Sequence, residues 1–279
     1  MRKERVLSGI VIAAILIGMW VGMYTPVIDI MMAVLAAAAC YEVTKVAGVQ
    51  SKALKAAAIA FAFALPLGLV YFNTFPISAL CIIYVLLLIV MTVADFEHIP
   101  FKDLAVSIYA SMIIPIGFST IALVSDFYKV YDEIDTHENA FLLFMAVGAA
   151  LLTDVFAYEV GSRIGKHKMT PNLSPKKSWE GAIGAVVLNV AFMCIARGIF
   201  THFFALKPMF MGWFVFIFVI IALSILSMVG DLMASLIKRN YDVKDYSNLI
   251  PGHGGIMDRF DSVLVVAPTL YVLVVLYML

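Results

Sequence analysis

From the seventh residue to the last, the chain is a succession of apolar stretches divided by short breaks that gather most of its charge. A hydrocarbon core about 30 Å thick is crossed by about 20 apolar residues in a helix. Nine segments of that size stand out, at 7–25, 30–48, 54–73, 77–94, 104–124, 139–161, 181–200, 209–231 and 262–279. The expected fold is therefore an all-α polytopic integral membrane protein with nine transmembrane helices. Composition agrees: 63% of residues are hydrophobic and 14% charged, outside the range of soluble domains.

Polarity follows from Lys and Arg, which are in excess in cytoplasmic loops. With the N-terminus inside and alternate breaks on opposite sides, 16 of the 19 Lys and Arg residues fall on the cytoplasmic side, leaving Lys129, Arg197 and Lys207 outside. A miscounted helix would mix the two sets. The C-terminus is expected outside. A compact chain without organelle targeting suggests the cell inner membrane. The opening MRKERVLSGIVIAAILIGMW has the basic head and apolar body of a signal peptide but no convincing small-x-small cleavage site, so it reads as a retained first helix. Cys40, Cys81 and Cys194 stand singly in apolar runs without metal-like spacing and read as packing thiols.

Two cytoplasmic breaks, 162–180 and 239–261, are richer in charge and glycine than a connection requires. The expected division is an N-terminal region, 1–138, with helices one to five, and a catalytic region, 139–279, with helices six to nine and both loops. Net charge is zero, so only local patterns bear on partners, and no nucleic-acid partner is expected.

If the eighth helix continues past its apolar part, GDLMASLIKR puts Asp231, Ser235 and Lys238 on one helical face. Asp258 immediately precedes the ninth segment, at a depth similar to that of Asp231. Two such carboxylates can share a cation, and hard oxygen ligands suit Mg2+, which completes its shell with water and phosphate oxygens. Lys238, Arg239, Lys244, His253 and Arg259 supply donors fit for polyphosphate, and in PGHGG the backbone amides can approach a ligand closely. The plainer alternative is a structural ion pair of Asp231 with Lys238 or Arg259. Carboxylates at such depths are costly, so their default reading is functional. Asp154 is a third, sharing a face of the sixth helix with Tyr158, Gly161 and Gly165, where small residues admit another helix or a ligand. The following LSPKKSWEG sets Ser174, Lys176, Lys177, Ser178 and Glu180 at the start of helix seven, where helix amides favour phosphate. Walker A, GxSxG and Cys–His arrangements are absent, so the substrate is expected to supply its own nucleophile, as in phosphoryl or nucleotidyl transfer.

The stretch SLIKRNYDVKDYSNLIPGHGGIMDRFD, residues 235–261, resembles the signature of the CDP-diacylglycerol synthase, or phosphatidate cytidylyltransferase, family. Ser235, Lys238, Arg239, Lys244, Asp245, Pro251, His253, Gly254, Gly255, Asp258, Arg259 and Asp261 stand where that pattern wants them, and SPKKSWEG looks like its second block. The resemblance implies that CTP and phosphatidic acid react to CDP-diacylglycerol and pyrophosphate on the cytoplasmic side of the bilayer. It implies that Asp231 and Asp258 bind the metal. Lys238, Arg239, Arg259, Lys176 and Lys177 then clamp phosphates, and His253 and Asp261 position groups. A homodimer and a monovalent cation such as K+ are also implied. The competing readings are a CTP-dependent lipid kinase of the polyprenol type and a transporter for an anionic solute.

Overall fold

The computed structural model describes residues 14–72, 74–204, 208–249 and 254–279. Among them seven helices are long and apolar enough to cross a bilayer: Pro26–Val46, Lys52–Tyr71, Pro76–Ala94, Phe101–Ser125, Thr136–Ile164, Trp179–Phe203 and Trp213–Asn240. The apolar helix Val263–Met278 has 16 residues. Residues 14–21 form a helix within the first expected segment, 7–25, of which 7–13 lie outside the described residues. The protein is thus an all-α polytopic membrane protein. One departure is local. Within 162–180, β1 (Lys168–Thr170) and β2 (Ser174–Ser178) pair antiparallel, Lys168 opposite Ser178 and Thr170 opposite Ser174. Pro171 and Asn172 supply turn chemistry between two extended runs too short and polar to read as strands.

Capping residues fix where the helices begin. Thr25 caps the Pro26–Val46 helix, its hydroxyl accepting from the Val27 amide while Pro26 takes a position that needs no donor. Asp135 and Glu138 form a reciprocal capping box at the start of Thr136–Ile164. The other oxygen of Glu138 accepts from the Phe210 amide, which ties the start of this helix to the segment leading into Trp213–Asn240.

The chain divides into two compact units, Met1–Leu123 with Asn240–Phe260, and Val124–Arg239 with Asp261–Leu279. In this division the glycine-rich segment 240–260 belongs with the N-terminal helices. The physical reason is a set of hydrogen bonds from Ser247, Ile256 and Met257 to Glu42 of the Pro26–Val46 helix. In that first unit, Val49, Leu54, Tyr84, Leu88, Ile99 and Leu104 form an apolar core.

In the second unit, glycines let Thr136–Ile164 and Trp179–Phe203 touch backbone to backbone. A Cβ on Gly181 would sit 2.8 Å from the Ala157 carbonyl and 3.0 Å from the Gly161 Cα, so the small-residue face noted around Gly161 is used by a helix. Asn189 then joins three helices: its Nδ2 lies 3.0 Å from the Ala149 carbonyl and 2.9 Å from both Thr153 Oγ1 and Ser224 Oγ. With no water to compete in the bilayer core, such polar contacts hold helices in register. They sit one residue from Asp154 and two turns from Asp231, and so fix both carboxylates.

Candidate active site

Three stretches marked for chemistry converge within the second unit. Asp154 comes from Thr136–Ile164, Lys176 and Lys177 from β2, and Asp231 from Trp213–Asn240, which does continue unbroken through Ser235 and Lys238. A cleft of about 210 Å³ is lined by Asp154, Tyr158, Ser174, Lys176, Lys177 and Asp231, with Ser178 also at its wall. Across it Lys177 Nζ lies 2.5 Å from Asp231 Oδ2 and donates to the Met228 carbonyl at 3.4 Å. An ion pair for Asp231 therefore exists, and it is made with Lys177. It joins the 162–180 segment to the Trp213–Asn240 helix.

Asp261 lies beside this cluster. Gly230 admits it: a Cβ there would meet the Asp261 carbonyl at 2.8 Å. The Ser262 amide donates to Asp261 Oδ1 at 2.7 Å, and the Ser262 hydroxyl donates to Asp154 Oδ2 at 3.0 Å. Burial pushes the Asp261 carboxyl up to about 7, the nearby Asp231 and Asp154 carboxylates push the same way, and Lys238 and the Ser262 amide oppose them. Negative charge is thus concentrated where a cation would relieve it. Among the described residues no three or more His, Cys, Asp or Glu side chains close into a metal cage. An open set of carboxylates is what Mg2+ uses when substrate oxygens complete its shell.

Ser178 caps Trp179–Phe203, its hydroxyl accepting from the Gly181 amide at 3.2 Å. That leaves the positive end of a 25-residue helix against the cleft wall. Glu180, grouped in the sequence with the phosphate-binding residues, has another engagement. Its carboxylate accepts from the Lys166 and His167 amides and lies 2.6 Å from His167 Nδ1, which fastens the start of the hairpin. Ser235 lies one turn beyond Asp231 and is half-buried, and Arg239, a further turn on, is exposed.

The remaining signature residues belong to the first unit. Asp258 Oδ2 accepts from the Tyr246 amide at 2.8 Å and the Gly255 amide at 2.9 Å. The Gly255 amide, expected to be open to a ligand, is thus taken by Asp258. Gly254 adopts φ +84°, a left-handed conformation that glycine meets at no steric cost. Arg259 is half-buried, and its Nε has no hydrogen-bond partner among the described residues, which suits it to an acceptor oxygen from outside the chain. Lys244 and Asp245 are exposed. Pro251 and His253 lie outside the described residues. Sequence reasoning missed Glu42. Its signal was the rule applied to Asp154, that a carboxylate inside an apolar segment is functional by default.

Over residues 3–277 the sequence matches the cytidylyltransferase family. The chain belongs to that family. Among cytidylyltransferase relatives it is 36% identical over 166 residues to the phosphatidate cytidylyltransferase of Bacillus subtilis, covering 58% of this chain and 59% of that one. It is 33% identical over 184 residues to the phosphatidate cytidylyltransferase of Staphylococcus epidermidis, covering 66% of this chain and 64% of the relative. With that of Mycobacterium tuberculosis the identity is 32% over 163 residues, 58% of this chain and 44% of the other. The matched part thus spans less than two thirds of each of these relatives.

Proposed function

We propose that this member of the cytidylyltransferase family converts CTP and phosphatidate to CDP-diacylglycerol and pyrophosphate. The observation that carries the reading is the Lys177–Asp231 pair in a cleft shared with Asp154 and Lys176. Cations for phosphate and carboxylates for a metal meet there without any protein nucleophile. The cleft is smaller than the roughly 300 Å³ and more that a drug-sized ligand fills, which fits it to phosphate groups rather than a whole nucleotide.

A phosphatidate oxygen attacks the α-phosphorus of CTP in line, a P–O bond forms to it, and the bond to the β-phosphate breaks to release pyrophosphate. A phosphomonoester has a second pKa of about 6, so at neutral pH the attacking oxygen already carries its electron pair and needs no strong base. Lys176 and Lys177 hold phosphate oxygens, with the amides at the start of Trp179–Phe203 supporting the same charge. By the signature, Lys238, Arg239, Lys244 and Arg259 are further phosphate ligands. Mg2+, when bound, neutralises charge on the phosphates. Asp231 would hold it, with Asp154 and Asp261 as carboxylate neighbours, and Asp258 is the other carboxylate that the signature assigns to metal. A homodimer, a monovalent cation such as K+, nine crossing helices, a cytoplasmic site and an inner-membrane location complete the proposal. A site at the membrane face suits the reactants, since a two-chain lipid stays in the bilayer and a nucleotide in water.

Label transfer tests it. CTP labelled at the α position should label the lipid fraction in the presence of phosphatidate and Mg2+, and label at the γ position should leave as pyrophosphate. Lipid labelled from the γ position would identify a lipid kinase instead, and no labelling from either would favour the transporter.

A further inference from the structure

Glu42 lies in the Pro26–Val46 helix among Ala39, Cys40 and Val43, and only 1% of it is exposed. The turn before it is Ala38, Ala39 and Cys40, and Tyr41, Val43, Thr44 and Lys45 flank it on its own helix. Satisfaction comes from more than 200 residues away in sequence. Oε1 accepts from Ser247 Oγ at 2.5 Å and from the Ile256 amide at 3.0 Å, and Oε2 accepts from the Met257 amide at 2.9 Å. All three donors are neutral, and two are backbone amides that cannot turn away without moving the chain.

The contact also explains a glycine. A Cβ on Gly255 would lie 2.4 Å from Glu42 Oε2 and 2.6 Å from its Cδ. Any larger residue would push the carboxylate off the amides that follow. Because Asp258 takes the Gly255 amide, three consecutive amides, at 255, 256 and 257, each donate to a buried or half-buried carboxylate. The backbone that leads into Asp258 and Arg259 is therefore gripped from two sides, and one grip is a side chain of a membrane helix.

We propose that Glu42 is a positioning residue of the reaction. It fixes Ser247 and the Gly255–Met257 backbone, and so sets where the Asp258 carboxylate and the Arg259 guanidinium stand. The assignment of a reaction rests on the activity proposed above; the clamp itself does not.

The full-length protein, in detergent micelles, is followed by two readouts, amide hydrogen exchange across residues 254–260 and α-label transfer from CTP to phosphatidate. Glu42→Gln keeps the size and one acceptor oxygen but turns an NH2 group toward amide donors. Exchange at Ile256 and Met257 should speed up by about tenfold or more with protection of Thr136–Ile164 unchanged. The turnover number kcat should fall by about tenfold or more while KM for CTP moves by less than about threefold. Ser247→Ala, which lies outside the membrane helices and keeps the test open if Glu42→Gln fails to fold, should give a smaller change of the same kind. The double variant should be no worse than Glu42→Gln alone, because both act through one clamp. Unchanged exchange at 256 and 257 would overturn the proposal. So would loss of protection spread evenly over all helices, which marks a residue that merely holds the fold, or additive effects in the double variant. If the wild-type protein transfers no label, the activity is wrong, and the exchange measurement still decides on the clamp.

Discussion

Asp231 and Glu42 are carboxylates on membrane helices that are satisfied in opposite ways. Asp231 faces an ammonium at 2.5 Å, and the Lys177 and Asp231 side chains are 20% and 29% exposed. Glu42 is buried and holds two amides and a hydroxyl. A half-exposed pair can be exchanged: an arriving phosphate offers Lys177 a substitute and an arriving cation offers one to Asp231, so neither group is stranded. Buried amides have no such substitute, and their carboxylate leaves only if the backbone opens. The way a carboxylate is satisfied thus separates machinery that receives a partner from a fastener that keeps its own.

The sharpest break of that comparison is Asp231→Asn. The substitution keeps size and removes the charge, so the protein should remain folded and extractable while turnover falls by about 100-fold or more at saturating Mg2+. Measured retention above about a tenth of wild-type turnover, a difference of only ~1.4 kcal/mol, would make the Lys177–Asp231 pair structural and erase the distinction from Glu42.

A smaller effect tests whether the cleft is poised for a cation. The Asp261 carboxyl is raised to about 7 by burial and by Asp231 and Asp154. A raised carboxyl favours the folded state when protonated. Its contribution is fully present below the ordinary carboxylate range, near 4, and is lost as pH rises through about 7. In the presence of a chelator, Asp261→Asn should therefore match wild type in Tm at or below about pH 4 and exceed it by several degrees at about pH 8. Equal Tm values at both pH values would show that the charge cluster puts no strain on the empty cleft.

The sequence made the membrane helices legible because a 20-residue apolar run has few alternatives in lipid. The expected segments from 30–48 to 262–279 each hold a helix. The cleft was legible in parts: Asp154, Lys177 and Asp231 were each marked by charge beside an apolar run, but no spacing rule pairs Lys177 with Asp231 when a whole helix separates them. The partners of Glu180 were hidden for a related reason. A carboxylate at a helix start looks the same in sequence whether it faces a ligand or, as here, His167 and two amides. The contacts of Glu42 were hidden because two of its three partners are backbone amides, which every residue type supplies equally.

The smallest expected effect sharpens the comparison from the other side. Lys129 Nζ lies 2.6 Å from Asp126 Oδ1, practically the same separation as Lys177 and Asp231. Distance alone would rank the two pairs together. Yet Lys129 and Asp126 are neighbours three residues apart on one short turn, with side chains 52% and 24% exposed, and the ammonium also lies 5.5 Å from the centre of the Tyr128 ring. An exposed local pair contributes about 0.2–1 kcal/mol to stability, and neither residue is among those lining the cleft. Lys129→Ala should therefore change label transfer by less than about twofold and shift Tm by a few degrees at most. Should Lys129→Ala instead lower turnover to the level expected of Asp231→Asn, ion pairs at 2.5–2.6 Å would matter here through the fold at large. The convergence of the hairpin lysines on the Asp231 helix would then lose its special claim to be the site.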